Sequence, residues 1–493
     1  VNMSSKHIPN RILFGLKVKQ LRQAKGFSFL ELAQQTGLSI SYLNEIEKGK
    51  KFPKSDKLNS LSLALGQTPE KLVTFGAEDG LDTIIELLDS NFLNELPLDL
   101  FGIDLSKVVE IIARAPTRVG AFISTLLELS RNYALRQEHF YFAALRSYLE
   151  MHQNYFEEIE YAVDQFIEEY NIPNLRPISD KLLAEILSES YDYNIDYKGL
   201  DQYEKLNNLY YYLFLPKSNQ LLLKGSLNSM QRSFSFGKEI AFKFLQLKER
   251  AYTSSIAQGK VFEEVLNHSK AIYFSVALHL PRDPFIMSLD DIFSQKSWNP
   301  DHFSKIMDQY KVTPEMFYHR MTNILPQYFG LKDIFFMRFV YLPEEGTLKV
   351  DRELHLNKKH QPHGNNLSEH YCRRWIAVSS ILNDQDKNHS MMHAEIARYQ
   401  ENKESYLCLT YSRLNYPKPG SKVSLTLGIL LDQKLPEKIA FASSEKLIHK
   451  QVHTTCERCP ISDCKERAAP PIQREKKKKA QEIDGLLESL LNQ

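Results

Sequence analysis

Three cysteines, Cys456, Cys459 and Cys464, follow the spacing C-x2-C-x4-C within the segment HTTCERCPISDCKERAAPP. Two cysteines separated by two residues can aim their thiolates at one ion, and a turn brings a third close. In a reducing compartment such clusters more often mark metal than disulfide. Three ligands are one short of a tetrahedral set. Cys372, in HYCRRW, is the expected fourth, with His453 as a local alternative. Cys408 lies in the apolar run Leu407-Cys408-Leu409 and reads as core.

A second group of side chains suits recognition rather than coordination. Ser39, Ser41, Tyr42 and Asn44 fall within six residues and are followed by Lys48, Lys50 and Lys51. Asn can pair bidentately with adenine, and Ser and Tyr can bond bases or phosphate. The lysines suit phosphate contacts, which position a protein without reading sequence.

These side chains need a scaffold, and the first 75 residues predict five short helices. The first runs from about Ile12 to Ala24 with Ile12, Leu13, Leu16 and Leu21 as its apolar stripe, stopped by Lys25-Gly26. Ser28-Phe29-Leu30-Glu31 is a capping box opening the second, in which Leu30, Leu32 and Ala33 are expected to face inward and Gly37 to terminate. The third follows the cap Ser39. The fourth covers about Asp56 to Leu65 with Gly66 as its stop, and Thr68-Pro69 opens the fifth. Only Gly37-Leu38-Ser39 joins the second and third, the tight turn of a helix-turn-helix, which would place the third helix in a DNA major groove. Charge agrees. Up to Phe75 there are twelve Lys and Arg against five Asp and Glu, an excess of +7, whereas the whole chain carries +1 and the remainder therefore −6. A basic first domain on an otherwise acidic chain suits a polyanion partner at that end. From Ile12 to Leu72 the sequence, including the run Ile46-Glu47-Lys48-Gly49-Lys50 and Pro53, resembles the Cro/cI-like (XRE) helix-turn-helix family. Phe29 departs from that family, which often has Gln there to touch a phosphate.

From Leu81 to Glu169 apolar residues recur at helical spacing: Ile84, Ile85, Leu87 and Leu88, then Phe122, Leu126, Leu127 and Leu129, then an aromatic stripe from Phe140 to Tyr170 that reads as core. Beyond Asn171-Ile172-Pro173-Asn174 the pattern is mixed. Leu209 to Leu215 and Gln220 to Leu223 flank Pro216-Lys217-Ser218-Asn219 as a hairpin. A helix with RSFSFGKEIAF (Arg232 to Phe242), YFSVALHLP, and VTPEMFYHRM follow. Together these segments resemble the metallopeptidase-like domain of the ImmA/IrrE class. Active members carry H-E-x-x-H, two zinc imidazoles one helical turn apart with Glu as general base. Here the five positions are Lys238, Glu239, Ile240, Ala241 and Phe242, so peptidase chemistry is not expected. Further on, Ile334 to Tyr341 with Leu348 to Leu354, and Tyr406 to Ser412 with Val423 to Leu431, read as strand pairs.

CERCPISDCKERAAPP together with Cys372-Arg373-Arg374-Trp375 resembles the short-chain fatty acyl-CoA regulator family. That resemblance implies control of acetate, propionate or fatty-acid metabolism genes by an acyl-CoA effector. It also implies a four-iron iron–sulfur (4Fe-4S) cluster on Cys372, Cys456, Cys459 and Cys464, although zinc takes the same four thiolates. CoA phosphates want Arg or Lys, and Arg232, Arg320 and Arg374 lie in family-like segments. The expected partners are double-stranded DNA, a small-molecule effector and a second copy of the chain. A metallopeptidase-type antirepressor and a redox or metal sensor without acyl-CoA binding are the alternative readings.

The expected fold is mainly α with an α+β C-terminal half. Residues 1–75 form the helix-turn-helix domain, 80–171 a helical linker or dimerisation region and 172–341 a degenerate, zincin-like effector domain. Residues 342–472 form a β-containing cysteine domain and 473–493 a basic amphipathic tail. Five cysteines in 493 residues exclude a disulfide scaffold. No apolar run reaches the ~18 residues of a membrane span. VNMSSKHIPN lacks the apolar core of a secretory signal, so a cytoplasmic location is expected.

Overall fold

The computed structural model describes residues 7–74, 137–173, 176–255, 261–356, 369–382, 391–400, 403–415 and 421–491. The segments expected to be helical around Ile84–Leu88 and Phe122–Leu129 lie outside the described residues. The chain divides into two compact units, residues 1–144 with 258–263, and residues 145–257 with 264–493.

Five helices make up the described N-terminal part: α1 (His7–Ala24), α2 (Phe29–Thr36), α3 (Ile40–Glu47), α4 (Ser55–Leu65) and α5 (Pro69–Val73). Their ends follow local chemistry. The capping box on Ser28 is complete, with Ser28 N donating to Glu31 Oε2 at 2.7 Å and Glu31 N to Ser28 Oγ at 3.2 Å. Gly37 and Gly66 close α2 and α4 in the left-handed conformation. Ser39 and Thr68 accept the capping amides of α3 and α5. The core takes Phe14 and Val18 from α1, Leu32 from α2, Leu43 and Ile46 from α3, and Leu61, Leu65 and Leu72 from α4 and α5. Leu30, expected inside, is 57% exposed, because it stands two residues before the buried Leu32, just over half a turn away and so on the opposite side of the helix. Gly15 marks the closest approach of α1 to α3: a Cβ there would stand 2.3 Å from the Ile46 carbonyl oxygen.

The second unit is a mixed α/β region. A three-stranded sheet of order β1-β3-β2 joins β1 (Asn194–Asp196), β2 (Tyr212–Leu215) and β3 (Gln220–Leu223), the last two forming the expected hairpin. A six-stranded sheet of order β5-β4-β8-β7-β6-β9 contains β4 (Ile334–Leu342), β5 (Thr347–His355), β6 (Met391–Tyr399), β7 (Ser405–Leu414), β8 (Lys422–Leu430) and β9 (Ile448–Val452). Both of its faces are covered. Leu407, Leu409, Leu425 and Leu427 pack with Phe285, Phe303, Phe317 and Met321 of the helices Arg282–Phe293, Pro300–Tyr310 and Pro314–Tyr328. Phe335, Phe339, Tyr406 and Cys408 point the other way, onto Trp375 and the helix Ile376–Leu382. This is why β4 and β7 read as continuous apolar runs rather than as alternations. Cys408 is core, as expected. Gly428 lets the Phe335 ring lie against β8, since a Cβ there would fall 2.2 Å from that ring. The aromatic stripe is also core: Tyr148, Tyr155, Phe156 and Phe166 are buried. The tail forms the helix Ile472–Leu491, which buries no residue. No helix among the described residues is long and apolar enough to cross a membrane.

Candidate functional site

The candidate nucleic-acid interface is the outer face of α3. Leu43, Ile46 and Glu47 are buried, which fixes the helix rotation and leaves Ser39, Ser41 and Lys48 exposed with Asn44 half-buried beside them. Ser39 Oγ accepts from Tyr42 N at 3.2 Å and retains its own proton to donate. Two ammonium groups stand over the Tyr42 ring, Lys57 Nζ at 4.2 Å and Lys51 Nζ at 5.6 Å from its centroid. Lys51 also pairs with Glu45 at 2.7 Å, and that hydrogen bond holds its pKa above the ordinary value. Lys50 and Lys51 are exposed on the turn after α3, where Gly49 takes φ +68° and both lysine amides donate to the Glu45 carbonyl. The residues read from sequence as one recognition set therefore share one short stretch of surface. Lys57, at the start of α4, joins it without having been singled out.

A buried clamp holds α3 to α1. Arg22 donates through Nε to Glu47 Oε1 at 2.6 Å and through its NH2 nitrogen to Oε2 at 3.0 Å, and its NH1 nitrogen donates to the Phe27 carbonyl at 2.7 Å. The hydrogen bond to Glu47 raises the Arg22 pKa. The guanidinium lies 4.3 Å from the Phe29 ring centroid. Phe29 thus gives the clamp a platform. Not every cation in this domain faces outward: Lys17 Nζ donates to the carbonyls of Lys71 and Thr74 at 2.7 Å each, satisfying the end of α5.

In the second unit, the helix Ser229–Phe244 carries Lys238, Glu239 and Phe242 where a zinc peptidase would carry H-E-x-x-H. All three are buried. Glu239 accepts from Arg250 at 2.7 Å through Oε1 and from the Tyr193 hydroxyl at 2.9 Å through Oε2. The Arg250 guanidinium stacks 3.9 Å from the Phe242 centroid. Lys238 Nζ donates to the Ser254 carbonyl at 2.8 Å and lies 3.2 Å from His268 Nε2. Burial pushes the Lys238 pKa from 10.5 down to about 7, with Glu239 opposing the shift, and burial together with Lys238 holds His268 well below its ordinary value.

The three arginines expected at an effector have separate partners. Arg232 Nε donates to Asp180 Oδ2 at 2.7 Å and its NH1 nitrogen to the Leu227 carbonyl at 2.6 Å. Arg374 stands 3.8 Å from a Glu466 oxygen. Arg320 is fully buried; both terminal nitrogens donate to Glu160 and its Nε to the Leu280 carbonyl at 2.9 Å. Its guanidinium is committed to an internal ion pair.

The cysteine expectation needs correction. The strand-like segment around Cys372 does run beside the cysteine turn, with Cys372 N donating to the Thr454 carbonyl at 3.2 Å and Cys456 N to the His370 carbonyl at 2.8 Å. Yet among the described residues no group of three or more His, Cys, Asp or Glu side chains is arranged to hold a metal ion. Neither the iron–sulfur cluster nor zinc on Cys372, Cys456, Cys459 and Cys464 is supported. The thiols are engaged otherwise: Cys456 Sγ accepts from Ala468 N at 3.3 Å, and burial raises the pKa of Cys372 and Cys459, favouring the protonated thiol. Nor is a distinct zincin-like fold apparent. The region is the mixed α/β assembly described above.

The fold and the outward face of α3 define a helix-turn-helix DNA-binding protein. A family model described as a helix-turn-helix domain matches residues 15–75, and one described as an IrrE N-terminal-like domain matches residues 197–322. The chain is similar to the HTH-type transcriptional regulator RamB of Mycobacterium tuberculosis, at 22% identity over 494 residues, covering 93% of this chain and 95% of that protein. It is also similar to Control protein C.BamHI of Bacillus amyloliquefaciens, at 38% identity over 66 residues, 13% of this chain and 82% of that one. A solved structure described as a Mycobacterium tuberculosis transcriptional regulator shares 16% identity over 67% of this chain and 94% of that one, with a TM-score of 0.46. The chain is a helix-turn-helix transcriptional regulator with an IrrE-like domain, related to RamB-like regulators.

Proposed function

We propose that the chain binds duplex DNA as a homodimer through α3 and changes its DNA affinity when a small-molecule effector, a short-chain acyl-CoA, binds elsewhere in the chain. The genes controlled on this reading are those of short-chain fatty acid, acetate or propionate metabolism. The observation that carries the DNA half is the single outward face holding Ser39, Ser41, Asn44 and Lys48 above a buried Leu43-Ile46-Glu47 underside. Ser41 and Asn44 are its base readers, and Lys48, Lys50 and Lys51 its phosphate contacts. The effector half rests on the resemblance carried by Cys372-Arg373-Arg374-Trp375 and CERCPISDCKERAAPP. In it, Arg232 and Arg374, both part-exposed, are the cations for CoA phosphates, and Arg320 serves to hold Glu160. The chain is not an enzyme on this reading. Lys238 and Phe242 cannot replace two imidazoles, and both Glu239 oxygens are held, by Arg250 and Tyr193.

The test is gel retardation by the full chain of a duplex from its own promoter region, with acetyl-CoA or propionyl-CoA titrated in. Retardation that weakens steeply with salt and shifts with the acyl-CoA is expected. Failure to retard any genomic fragment at low salt overturns the DNA half, and retardation indifferent to every acyl-CoA overturns the effector half.

A further inference from the structure

The outer face of α3 contains one side chain that polar recognition does not explain. Ile40 is the first residue of the helix and is 46% exposed, between the exposed Ser39 and Ser41. Positions i, i+1, i+4, i+5 and i+8 of a helix share a face, which here groups Ile40 with Ser41, Asn44, Glu45 and Lys48. Helix formation gives no reason for isoleucine there, since a β-branched residue is a poorer helix former than Ala, Glu or Lys. Leu43 and Ile46 already hold the helix to the core. Its polar neighbours are partly committed to one another. Ser39 Oγ caps the helix, the Tyr42 ring is engaged by the Lys51 and Lys57 ammonium groups, and Glu45 pairs with Lys51. The N-terminal end of a recognition helix is the end that meets base edges, and the one apolar group in the major groove is the thymine C5-methyl.

We propose that Ile40 is a specificity-determining residue that packs on a thymine C5-methyl in each half-site of the operator. The inference rests on the DNA-binding reading of α3 and adds the base type that this position selects. Ser41 and Asn44 supply hydrogen bonds, and Ile40 supplies an apolar contact that cytosine or uracil cannot return. Burying one methyl-sized group is worth about fourfold in affinity, from ~0.8 kcal/mol per group at ~1.4 kcal/mol per tenfold.

The experiment begins with duplexes enriched by the full chain from a randomised pool. In the enriched duplex each thymine is replaced singly by deoxyuridine, which removes only the methyl. Wild type is expected to lose about fourfold in affinity at one thymine per half-site and little elsewhere. Ile40→Ser is expected to bind the thymine and uracil duplexes equally at that position, and Ile40→Val to retain most of the preference. Because Ile40 contributes nothing to the buried core, both variants are expected to keep the wild-type fold by circular dichroism. Enrichment of a duplex whose every thymine tolerates uracil, or an unchanged preference in Ile40→Ser, overturns the inference while leaving the DNA reading intact. If no duplex is enriched, the DNA reading fails and takes this inference with it.

Discussion

Replacing Lys238 with methionine tests the buried charge cluster quantitatively. The Lys238 ammonium sits in a wholly buried site with the Ser254 carbonyl and His268 as neighbours, and its pKa falls from 10.5 to about 7. In the unfolded chain the amine stays protonated up to about pH 10.5, and in the folded chain only up to about pH 7. Between these values the unfolded state holds more protons, so stability rises with pH across that window and the penalty is complete below it. A shift of this size corresponds to about 5 kcal/mol below pH 7, of which about 2 kcal/mol is regained between pH 7 and pH 9. Lys238→Met removes the titrating group and keeps most of its volume. Both tryptophans, Trp298 and Trp375, lie in the same compact unit as Lys238, so fluorescence-detected urea unfolding reports on the right region. The wild type should gain about 2 kcal/mol more than Lys238→Met between pH 7 and pH 9. Parallel pH dependences in the two proteins would refute the argument, since every other group that titrates in that range is common to both.

Other perturbations follow from the same geometry. Gly15→Ala should destabilise the helix-turn-helix domain by about 1–3 kcal/mol, because the added methyl meets the Ile46 carbonyl, and should weaken DNA retardation; an unchanged melting curve would show that α1 and α3 can separate freely. Arg320→Met should cost about 3–5 kcal/mol by leaving the buried Glu160 carboxylate without its guanidinium and with the Tyr273 hydroxyl as its remaining donor, whereas the double change Glu160→Met with Arg320→Met should recover most of it; an equally unstable double variant would contradict an ion-pair role. Lys50→Ala should weaken binding to all duplexes alike and lower the slope of log affinity against log salt by about 1; a selective loss on one sequence would make Lys50 a base reader instead.

What was legible in the sequence was what is decided locally. Ser28 with Glu31, Gly37, Ser39, Gly66 and Thr68-Pro69 act within four residues of themselves, and the structure places the helix ends where they point. The hairpins β2-β3 and β4-β5 were readable for the same reason. What depended on distant partners was not. Leu13 and Leu16 of the stripe read on α1 are buried and Leu21 packs on the core, but Phe14 and Val18, which complete that core, were not picked out, because α3 and α4 decide which side of α1 faces them. β9 pairs in parallel with β6 across a long chain separation and presents mostly exposed residues, so it carried no strand signal. Arg22 with Glu47, and Glu239 with Arg250 and Tyr193, join residues whose type alone said nothing of pairing. The cysteine spacing misled because C-x2-C reports only a turn; metal binding also needs a set of ligands converging in space, which the described residues do not provide.

On the proposed reading of duplex DNA by α3, Asn44 makes the base contact, and Asn44→Ala removes it. Asn44 is half-buried on the outward face, so its loss should leave the fold intact. Retardation of the enriched duplex and of a scrambled duplex is measured with both proteins at one salt concentration. A base contact by Asn44 predicts about a tenfold or greater loss on the enriched duplex, the equivalent of ~1–3 kcal/mol for one bidentate pair, with the scrambled duplex bound as before. Equal losses on both duplexes, or none on either, would contradict it.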